Sequence, residues 1–244
     1  MSPVLEICAG SMQSALAALA GGADRIELCD NMAEGGTTPS YGMISTCKKL
    51  LNIPVFPIIR PRGSDFVYSV EEFEVMKRDV INCSELGCEG VVFGILRKDG
   101  SIDMERCSEL IALAKTMQVT FHRAFDQCND LEKGLEDLIT IGCDRVLTSG
   151  GKMYAAEGIM ILKDLVEQAE NRLIIMPGSG ITHKNISKLI RGTGAFEFHS
   201  TAKKLINVSS HTAGLPTYLY ETDTAEVAKM KQIIITFKFH KYLP

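Results

Sequence analysis

Eight short apolar runs, each separated from the next by a segment with helical spacing, constrain the fold of this 244-residue chain more than any other feature. The runs have the length and composition of buried strands; they are VLEIC (4–8), RIELC (25–29), VFPIIR (55–60), GVVFGIL (90–96), VTFHRA (119–124), RVLTSG (145–150), LIIMPG (173–178) and AFEFHS (195–200). Intervening segments such as 69–87 and 130–142 are apolar every three or four residues, and several end on glycine, as amphipathic helices do. Strand and helix therefore alternate along the chain.

This alternation predicts an α/β fold, a closed TIM-type (β/α)8 barrel, because eight strand–helix units in that fold typically take about 250 residues. The alternative is an open doubly wound sheet, whose first strand leads into a GxGxxG loop. Here the first strand leads into CAGSMQSA (8–15), which lacks that pattern. With 45% hydrophobic residues and 21 glycines the chain can bury one large core, so we predict a single domain over residues 1–244.

Composition excludes several classes of partner. The formal net charge is -4, and no run of lysine or arginine is long enough to follow a phosphate backbone, so we expect no nucleic-acid partner. No apolar stretch reaches the roughly 18 residues that span a bilayer, and the start MSPVLEICAG lacks the features of a signal peptide. The eight cysteines are scattered and form no CxxC pair, which argues against a zinc finger and favours reduced thiols. We therefore expect an intracellular protein with no membrane association.

The carboxyl ends of the predicted strands are unusually polar. In a (β/α)8 barrel the functional residues lie at these ends and on the loops that follow them. Here the ends carry Glu6, Cys8, Glu27, Cys29, Arg60, Arg62, His122, Arg123, Asp126, Ser149, Glu197 and His199. Because an unpaired buried charge costs several kcal/mol, these groups must be paired, solvated or functional.

Two histidines among them are candidates for proton transfer. His122 and His199 end the fifth and eighth strands next to charged residues, and histidine titrates near neutral pH. The candidate catalytic set is therefore Glu27, His122, Arg123, Asp126, Glu197 and His199. A neutral histidine that is hydrogen-bonded within the barrel mouth is the structural alternative.

Arginines and glycine loops at the same end suggest anion binding. Arg60, Arg62 and Arg123 could hold an anionic ligand, or they could form ion pairs with the glutamates. The loop after the seventh strand, with a helix predicted to begin near Thr182, is where such barrels often bind phosphate. The candidate loop residues are Gly178, Ser179 and Gly180 together with Ser149 and Gly150 of the TSGGK loop, although tight turns alone would also require glycine.

Seven motifs in order resemble the copper-homeostasis protein CutC family over roughly residues 4 to 202. They are ADRIELC…EGGTTPS, IRPRGSDFVYS, VFGILRKDGSID, TFHRAFD, RVLTSG, MPGSGIT and EFHSTA. The resemblance implies a TIM-type barrel that is cytoplasmic, with the nucleus as a second compartment. It also implies a homo-oligomer, either a homodimer or a homotetramer, that is associated with copper handling. It does not imply a settled reaction.

Cys8 and Cys29 are the candidate metal ligands. Each lies two residues after a glutamate on neighbouring strands, so each shares a face with that glutamate, and the two thiols could share one ion if the stagger of the barrel permits. Soft thiolates suit Cu(I), and with the family resemblance copper(I) is the expected metal. Plain packing of buried thiols is the alternative.

Two functions therefore remain open at this point. One is copper homeostasis with Cu(I) bound by thiolates, and the other is a barrel enzyme that acts on a small anionic metabolite, with phosphorylated compounds among the candidates. The tail departs from the family from about residue 230. Its IIITFKF stretch (233–239) is β-branched and aromatic and predicts an extended conformation where a last helix should close the barrel.

Overall fold

Eight parallel strands and eight helices alternate in the computed structural model, which describes residues 3–207 and 218–237. The barrel strands are β1 (Val4–Ala9), β2 (Arg25–Leu28), β3 (Val55–Pro57), β4 (Gly90–Phe93), β5 (Gln118–Phe121), β6 (Arg145–Thr148), β7 (Ile174–Pro177) and β8 (Glu197–Ser200). The helices are α1 (Met12–Ala20), α2 (Tyr41–Leu50), α3 (Val70–Glu85), α4 (Met104–Ala114), α5 (Leu131–Thr140), α6 (Ile159–Ala169), α7 (Ile186–Thr193) and α8 (Thr224–Thr236). The predicted TIM-type α/β barrel is confirmed.

Strand pairing follows the order of the chain. Ladders join β3, β2, β1 and β8 on one side and β4, β5, β6 and β7 on the other, and all the paired barrel strands are parallel. A parallel bridge between Ile58 and Val92 joins β3 to β4, where the Ile59 N–H donates to the Val92 carbonyl at 2.7 Å. At the other seam Gly178 lies so close to β8 that a Cβ on it would be 3.3 Å from the Cβ of His199.

Inward side chains form layers contributed by alternate strands, as is typical of this barrel. The layer at the amino end of the strands holds the first residues of β2, β4, β6 and β8, which are Arg25, Gly90, Arg145 and Glu197. The Phe56 ring of the next layer fills the space above Gly90, and the Arg25 guanidinium lies over that ring with its Cζ 4.9 Å from the centroid. Valine, isoleucine and leucine fill the space between the sheet and the helices. Inside the barrel, by contrast, many of the buried side chains are charged.

Buried ion pairs compensate these charges. Glu197 accepts from both Arg25 and Arg145 at 2.6 Å, and Arg25 also donates to Glu6 at 2.5 Å. Glu6 is fully buried, and each of the other three side chains is at most 10% exposed. Because each charge has an opposite partner, the desolvation cost of burying it is offset.

Side chains at the amino ends of helices fix where those helices begin. Ser69 and Glu72 form a capping box at the start of α3, and Asp130 accepts from the Lys133 N–H at the start of α5. Ser40 caps α2 in the same way, since its side chain accepts from the Met43 N–H. Among the described residues, no helix combines the length and the hydrophobicity that crossing a bilayer requires.

The final helix differs from its predicted conformation. The extended conformation predicted for the IIITFKF stretch is wrong over residues 233–236, which belong to α8. Val227, Met230 and Ile234 follow helical spacing and are fully buried, so burial against the barrel overrides the local β-propensity of the isoleucines. The remaining tail residues, 238–244, lie outside the described residues.

A β-hairpin follows β8 before the last helix. Strands β9 (Lys203–Asn207) and β10 (Tyr218–Thr222) pair antiparallel at the mouth end of the barrel. The segment between them, 208–217, lies outside the described residues.

Candidate functional site

A cavity of about 1150 Å³ opens at the carboxyl ends of the strands. Nine of the predicted site residues line it, and they are Cys8, Glu27, Arg60, His122, Arg123, Asp126, Ser179, Gly180 and His199. The upper two inward layers supply the deepest of these, because Glu27 and His199 come from one layer and Cys8 and His122 from the layer above it.

Three sulfur atoms meet on one wall of the cavity. Cys8 Sγ lies 3.2 Å from Cys29 Sγ, and Met32 Sδ lies 3.6 Å from Cys8 Sγ and 3.0 Å from Cys29 Sγ. Cys8 is the last residue but one of β1, Cys29 directly follows β2, and Met32 begins a short 3₁₀ turn in the next loop. The hydrogen bond with Cys29 and burial both raise the pKa of the Cys8 thiol, so at neutral pH that thiol is protonated in the absence of a metal. We call Cys8, Cys29 and Met32 the sulfur cluster.

His199 lies between two carboxylates next to the sulfur cluster. Its Nδ1 is 2.7 Å from Glu6 Oε1, and its Nε2 is 3.7 Å from Glu27 Oε2. Burial acts to lower the pKa of His199, but the negative charges of Glu27 and Glu6 outweigh burial and raise it. Burial also raises the pKa of Glu27, so the environment shifts both the Glu27 carboxyl and the His199 imidazole toward their protonated forms.

His199 and Glu27, together with Cys8 of the sulfur cluster, also offer a mixed set of metal ligands. Cys8, Glu27 and His199 each present one ligand atom, and these atoms lie within 4.8 Å of one another. The set combines sulfur, oxygen and nitrogen, which suits a divalent ion such as Zn²⁺ better than Cu(I). Cys8 belongs to both this set and the sulfur cluster.

His122 and Arg60 form part of the facing wall. The Ala124 N–H donates to His122 Nδ1 at 3.2 Å, while His122 Nε2 is buried and has no partner among the described residues. Burial and the positive charge of Arg60 lower the pKa of His122 to about 3, so the ring is neutral at physiological pH. The Phe66 ring lies against both residues, 4.8 Å from the His122 ring centroid and 5.0 Å from Arg60 Cζ.

The TSGGK loop binds a carboxylate of the protein itself. Asp126 accepts from the N–H groups of Ser149 and Gly151 at 2.9 to 3.1 Å, and from the Thr148 hydroxyl at 2.5 Å. Arg123 donates to the same carboxylate at 2.8 Å. Donors that the sequence suggested for an anionic ligand are therefore engaged with Asp126, because this side chain folds back from the loop after β5.

Other predicted site residues lie away from the cavity. Arg62 contacts Asp65 and Glu72 at 2.9 and 2.5 Å and does not line the cavity, which is the scaffold role that the sequence left open. Glu197 was expected at the mouth, but it begins β8 and lies two layers lower with Arg25 and Arg145.

The glycine loop after β7 is also built differently from the expectation. Gly178 packs against Leu147 and His199 in the barrel wall. In the TSGGK loop after β6, the Gly150 N–H donates to the Thr148 hydroxyl. The helix predicted near Thr182 begins at Ile186, because residues 182–185 form a turn in which the Thr182 N–H donates to the Asn185 side chain. Ser179 and Gly180 still face the cavity, with positive φ values of 83° and 69°.

Sequence reasoning missed Met32 and the two arginines of the lowest layer. Met32 follows Cys29 by three residues, and this Cys-x-x-Met spacing was the available signal. Arg25 and Arg145 begin their strands, and their partners lie at least 19 positions away in sequence, so only barrel closure brings them together.

These features define a class of protein: a TIM-type barrel with a cluster of potential metal ligands in its mouth. The sequence model of the CutC family matches residues 3–204. The human copper homeostasis protein cutC homolog is 50% identical over 200 residues, which cover 82% of this chain and 73% of the human protein. The family protein CutC of Chromobacterium violaceum is 46% identical over 96% of this chain and 99% of its own length.

A solved structure agrees with this assignment. The crystal structure of CutC from Streptococcus agalactiae superposes with a TM-score of 0.78 at 37% identity, covering 82% of this chain and 98% of that one. The chain belongs to the CutC family.

Proposed function

We propose that this protein takes part in copper homeostasis by binding Cu(I) through the thiolates of Cys8 and Cys29. The observation that carries the proposal is the sulfur cluster, in which two thiols lie 3.2 Å apart and a thioether lies within 3.6 Å of both. Relatives named as copper homeostasis proteins give independent support.

The chemistry of the donors favours Cu(I) over a harder ion. Thiolate and thioether are soft ligands, and soft ligands select Cu(I). The cluster has an apolar shell on one side, where Cys8 and Cys29 pack with Phe56, Ile58 and Val92. Such a shell limits the access of water and so favours a low-charge ion.

Anaerobic titration with Cu(I) in the presence of a competing chelator tests this proposal. Wild type should bind stoichiometric Cu(I), and Cys8→Ser/Cys29→Ser should lose it, because a hydroxyl is a poor ligand for a soft metal. Met32→Leu keeps the volume of the side chain and removes only the thioether, so it should weaken binding without abolishing it.

Two controls distinguish the sulfur cluster from other ligands. Cys107→Ser/Cys143→Ser changes two buried thiols that do not line the cavity and should leave Cu(I) binding unchanged. Glu27→Gln removes a ligand of the mixed set only. If Glu27→Gln abolishes Cu(I) binding while Met32→Leu has no effect, the mixed set holds the metal and the sulfur proposal is wrong.

We further propose, from family membership, a homodimer or homotetramer and a cytoplasmic location, with the nucleus as a second compartment. Size-exclusion chromatography with light scattering tests the first, and a fluorescent fusion tests the second.

A barrel enzyme that acts on a small anionic metabolite is the second candidate function. The observation that favours it is the unpartnered Nε2 of His122, a buried polar atom on a residue that lines the cavity. Incubating the protein with a cell metabolite extract and following the metabolites by mass spectrometry tests for turnover. Consumption of one compound by wild type but not by His122→Phe is the expected result, and identical metabolite profiles for both proteins would contradict it.

A further inference from the structure

The charge of Arg60 is not compensated in the way that other buried arginines are. Arg60 is 4% exposed, and its hydrogen bonds within the described ranges go to main-chain carbonyls, those of Glu34, Gly36 and Ser64, at 2.7 to 2.8 Å. No carboxylate in residues 3–207 and 218–237 makes an ion pair with it. Main-chain carbonyls provide dipoles but no opposite charge, and a buried cation without a counterion is costly.

One donor of this guanidinium is also free. Arg60 Nε is buried and has no hydrogen-bond partner among the described residues. The Nη atoms are already used to hold the loop that contains Glu34 and Gly36. Nε is therefore the donor that an added acceptor would satisfy.

His122 offers a second free donor on the same wall. Because Nδ1 accepts a hydrogen bond from the Ala124 N–H, the proton of the neutral ring resides on Nε2. That Nε2–H group is another buried polar atom without a partner, and His122 itself is 4% exposed. The third such atom among the described residues is the hydroxyl oxygen of Tyr68, a residue that does not line the cavity. The Phe66 ring contacts both His122 and Arg60, so one aromatic surface connects the two donors.

We propose that Arg60 and His122 bind the carboxylate of a small organic acid, whose apolar part packs against Phe66 and Ile58. These four residues, here called the acid wall, all line the mouth cavity. A carboxylate supplies both the missing negative charge and acceptors for the two free N–H groups. Water would satisfy the donors but would leave the cation uncompensated.

The number of buried cations favours a carboxylate over a phosphate dianion. Arg123, the other described arginine that lines the cavity, already pairs with Asp126, and the lining lysines Lys152, Lys184 and Lys203 are exposed. One buried guanidinium therefore matches one negative charge. This site goes beyond Cu(I) binding. Ile58 also packs against Cys8 and Cys29, so the two sites adjoin, but the hydrogen-bond donors of the acid wall, Arg60 and His122, are not members of the sulfur cluster.

Nuclear magnetic resonance of protein labelled with ¹⁵N-histidine tests the proposal directly. Wild type is titrated at pH 7 with acetate, propionate, inorganic phosphate or chloride at matched ionic strength, and the His122 ring signal is identified by its loss in His122→Phe. Propionate should move this signal saturably and more strongly than acetate, whereas chloride should not move it. The Cys8→Ser/Cys29→Ser protein should respond like wild type, so failure of Cu(I) binding and failure of this site can be distinguished.

Calorimetric titration with propionate then measures the contribution of each donor. His122→Phe should weaken binding by about 10-fold or more, as expected for loss of a hydrogen bond to a charged group. Arg60→Gln should abolish binding, and Arg62→Gln is its matched control, an arginine two positions away that should leave affinity unchanged. Because Arg60 also holds a loop, the conclusion rests on His122→Phe if Arg60→Gln does not fold.

Three results would overturn the proposal. The first is a His122 signal that no carboxylate moves across the millimolar range, which means that a buried water satisfies the donors. The second is equal propionate affinity in wild type and His122→Phe. The third is saturable binding of phosphate that is tighter than that of propionate, which would replace the carboxylate with a different ligand class.

Discussion

The two ends of the barrel interior treat buried polar groups in opposite ways. In the lower layers Arg25 and Arg145 both donate to Glu197, and Glu6 accepts from Arg25, so each charge has an opposite partner. In the upper layers the hydrogen bonds of the Arg60 guanidinium within the described ranges go only to main-chain carbonyls, and His122 Nε2 has no hydrogen-bond partner there. Burial is similar at both ends, so burial alone does not separate scaffold from site.

What separates scaffold from site is whether each buried polar group has a partner of opposite charge or a hydrogen-bond partner. A fully paired buried network holds the strands in one arrangement and gives a ligand nothing to bind. Unpaired buried groups destabilise the free protein, and a ligand that pairs with them recovers that energy. The mouth is therefore the region where we expect ligands, and the base is the region where we expect only stability effects.

The largest change in the free energy of unfolding should come from breaking the ion-pair network of the lower layers. Glu197→Gln leaves two buried guanidiniums without their shared carboxylate, and removing one partner of a buried ion pair typically costs about 3–5 kcal/mol. Urea denaturation of wild type and variant measures the change in the free energy of unfolding. Glu136→Gln is the matched control, because Glu136 pairs with Arg172 on the surface, where such pairs contribute about 0–1 kcal/mol.

A result in which both variants lose the same small amount would contradict this contrast. It would mean that the lower network is hydrated and that its ion pairs behave like surface pairs.

The second largest expected effect is a dependence of the free energy of unfolding on pH. It involves His199, which lies at the boundary between the lower layers and the mouth. Although burial opposes it, the charges of Glu27 and Glu6 raise the folded-state pKa of His199 above its ordinary value of 6.5. The stability contributed by protonated His199 is therefore fully present below pH 6.5 and is lost as the pH rises through the raised folded value. The free energy of unfolding, measured by urea denaturation at a series of pH values, should fall over that window.

Variants separate the groups that titrate there. His199→Gln should remove the contribution of the imidazole, and Glu27→Gln should shift the window down by removing a charge that raises the pKa of His199. The raised pKa of Glu27 itself acts in the same direction, so a pH profile unchanged in both variants would assign the titration to other groups.

The sequence patterns predicted part of this arrangement. Period two within strands placed Glu6 with Cys8 and Glu27 with Cys29 on shared faces, and the alternation of strands and helices predicted the barrel. The period-two pattern did not rank residues by depth, because a strand of four residues contributes to two layers. Glu197 was therefore assigned to the mouth, although the cavity is reached by the later residues of that strand, His199 and Ser200.

Contacts that depend on loop conformation could not be predicted. Asp126 and Ser149 are 23 positions apart, and nothing in either motif indicates that the carboxylate of one occupies the donors of the other. Met32 joins the sulfur cluster because a 3₁₀ turn carries its side chain back over Cys29. In α8 the local sequence was misleading, since tertiary burial of Ile234 decided its conformation.

The smallest effect should come from the mouth, and it is the result that most sharply tests the comparison. His122→Phe removes a buried N–H without a partner, which should stabilise the protein by about 1–3 kcal/mol, and it also removes the acceptor of the Ala124 N–H, which should cost a similar amount. The two contributions oppose each other, so we expect the free energy of unfolding to change by no more than about 1 kcal/mol. Urea denaturation beside Glu197→Gln, in the absence of added carboxylates, measures both under the same conditions. A loss for His122→Phe as large as that for Glu197→Gln would show that His122 is as well compensated as the lower network, and the distinction between a scaffold base and a ligand-binding mouth would then fail.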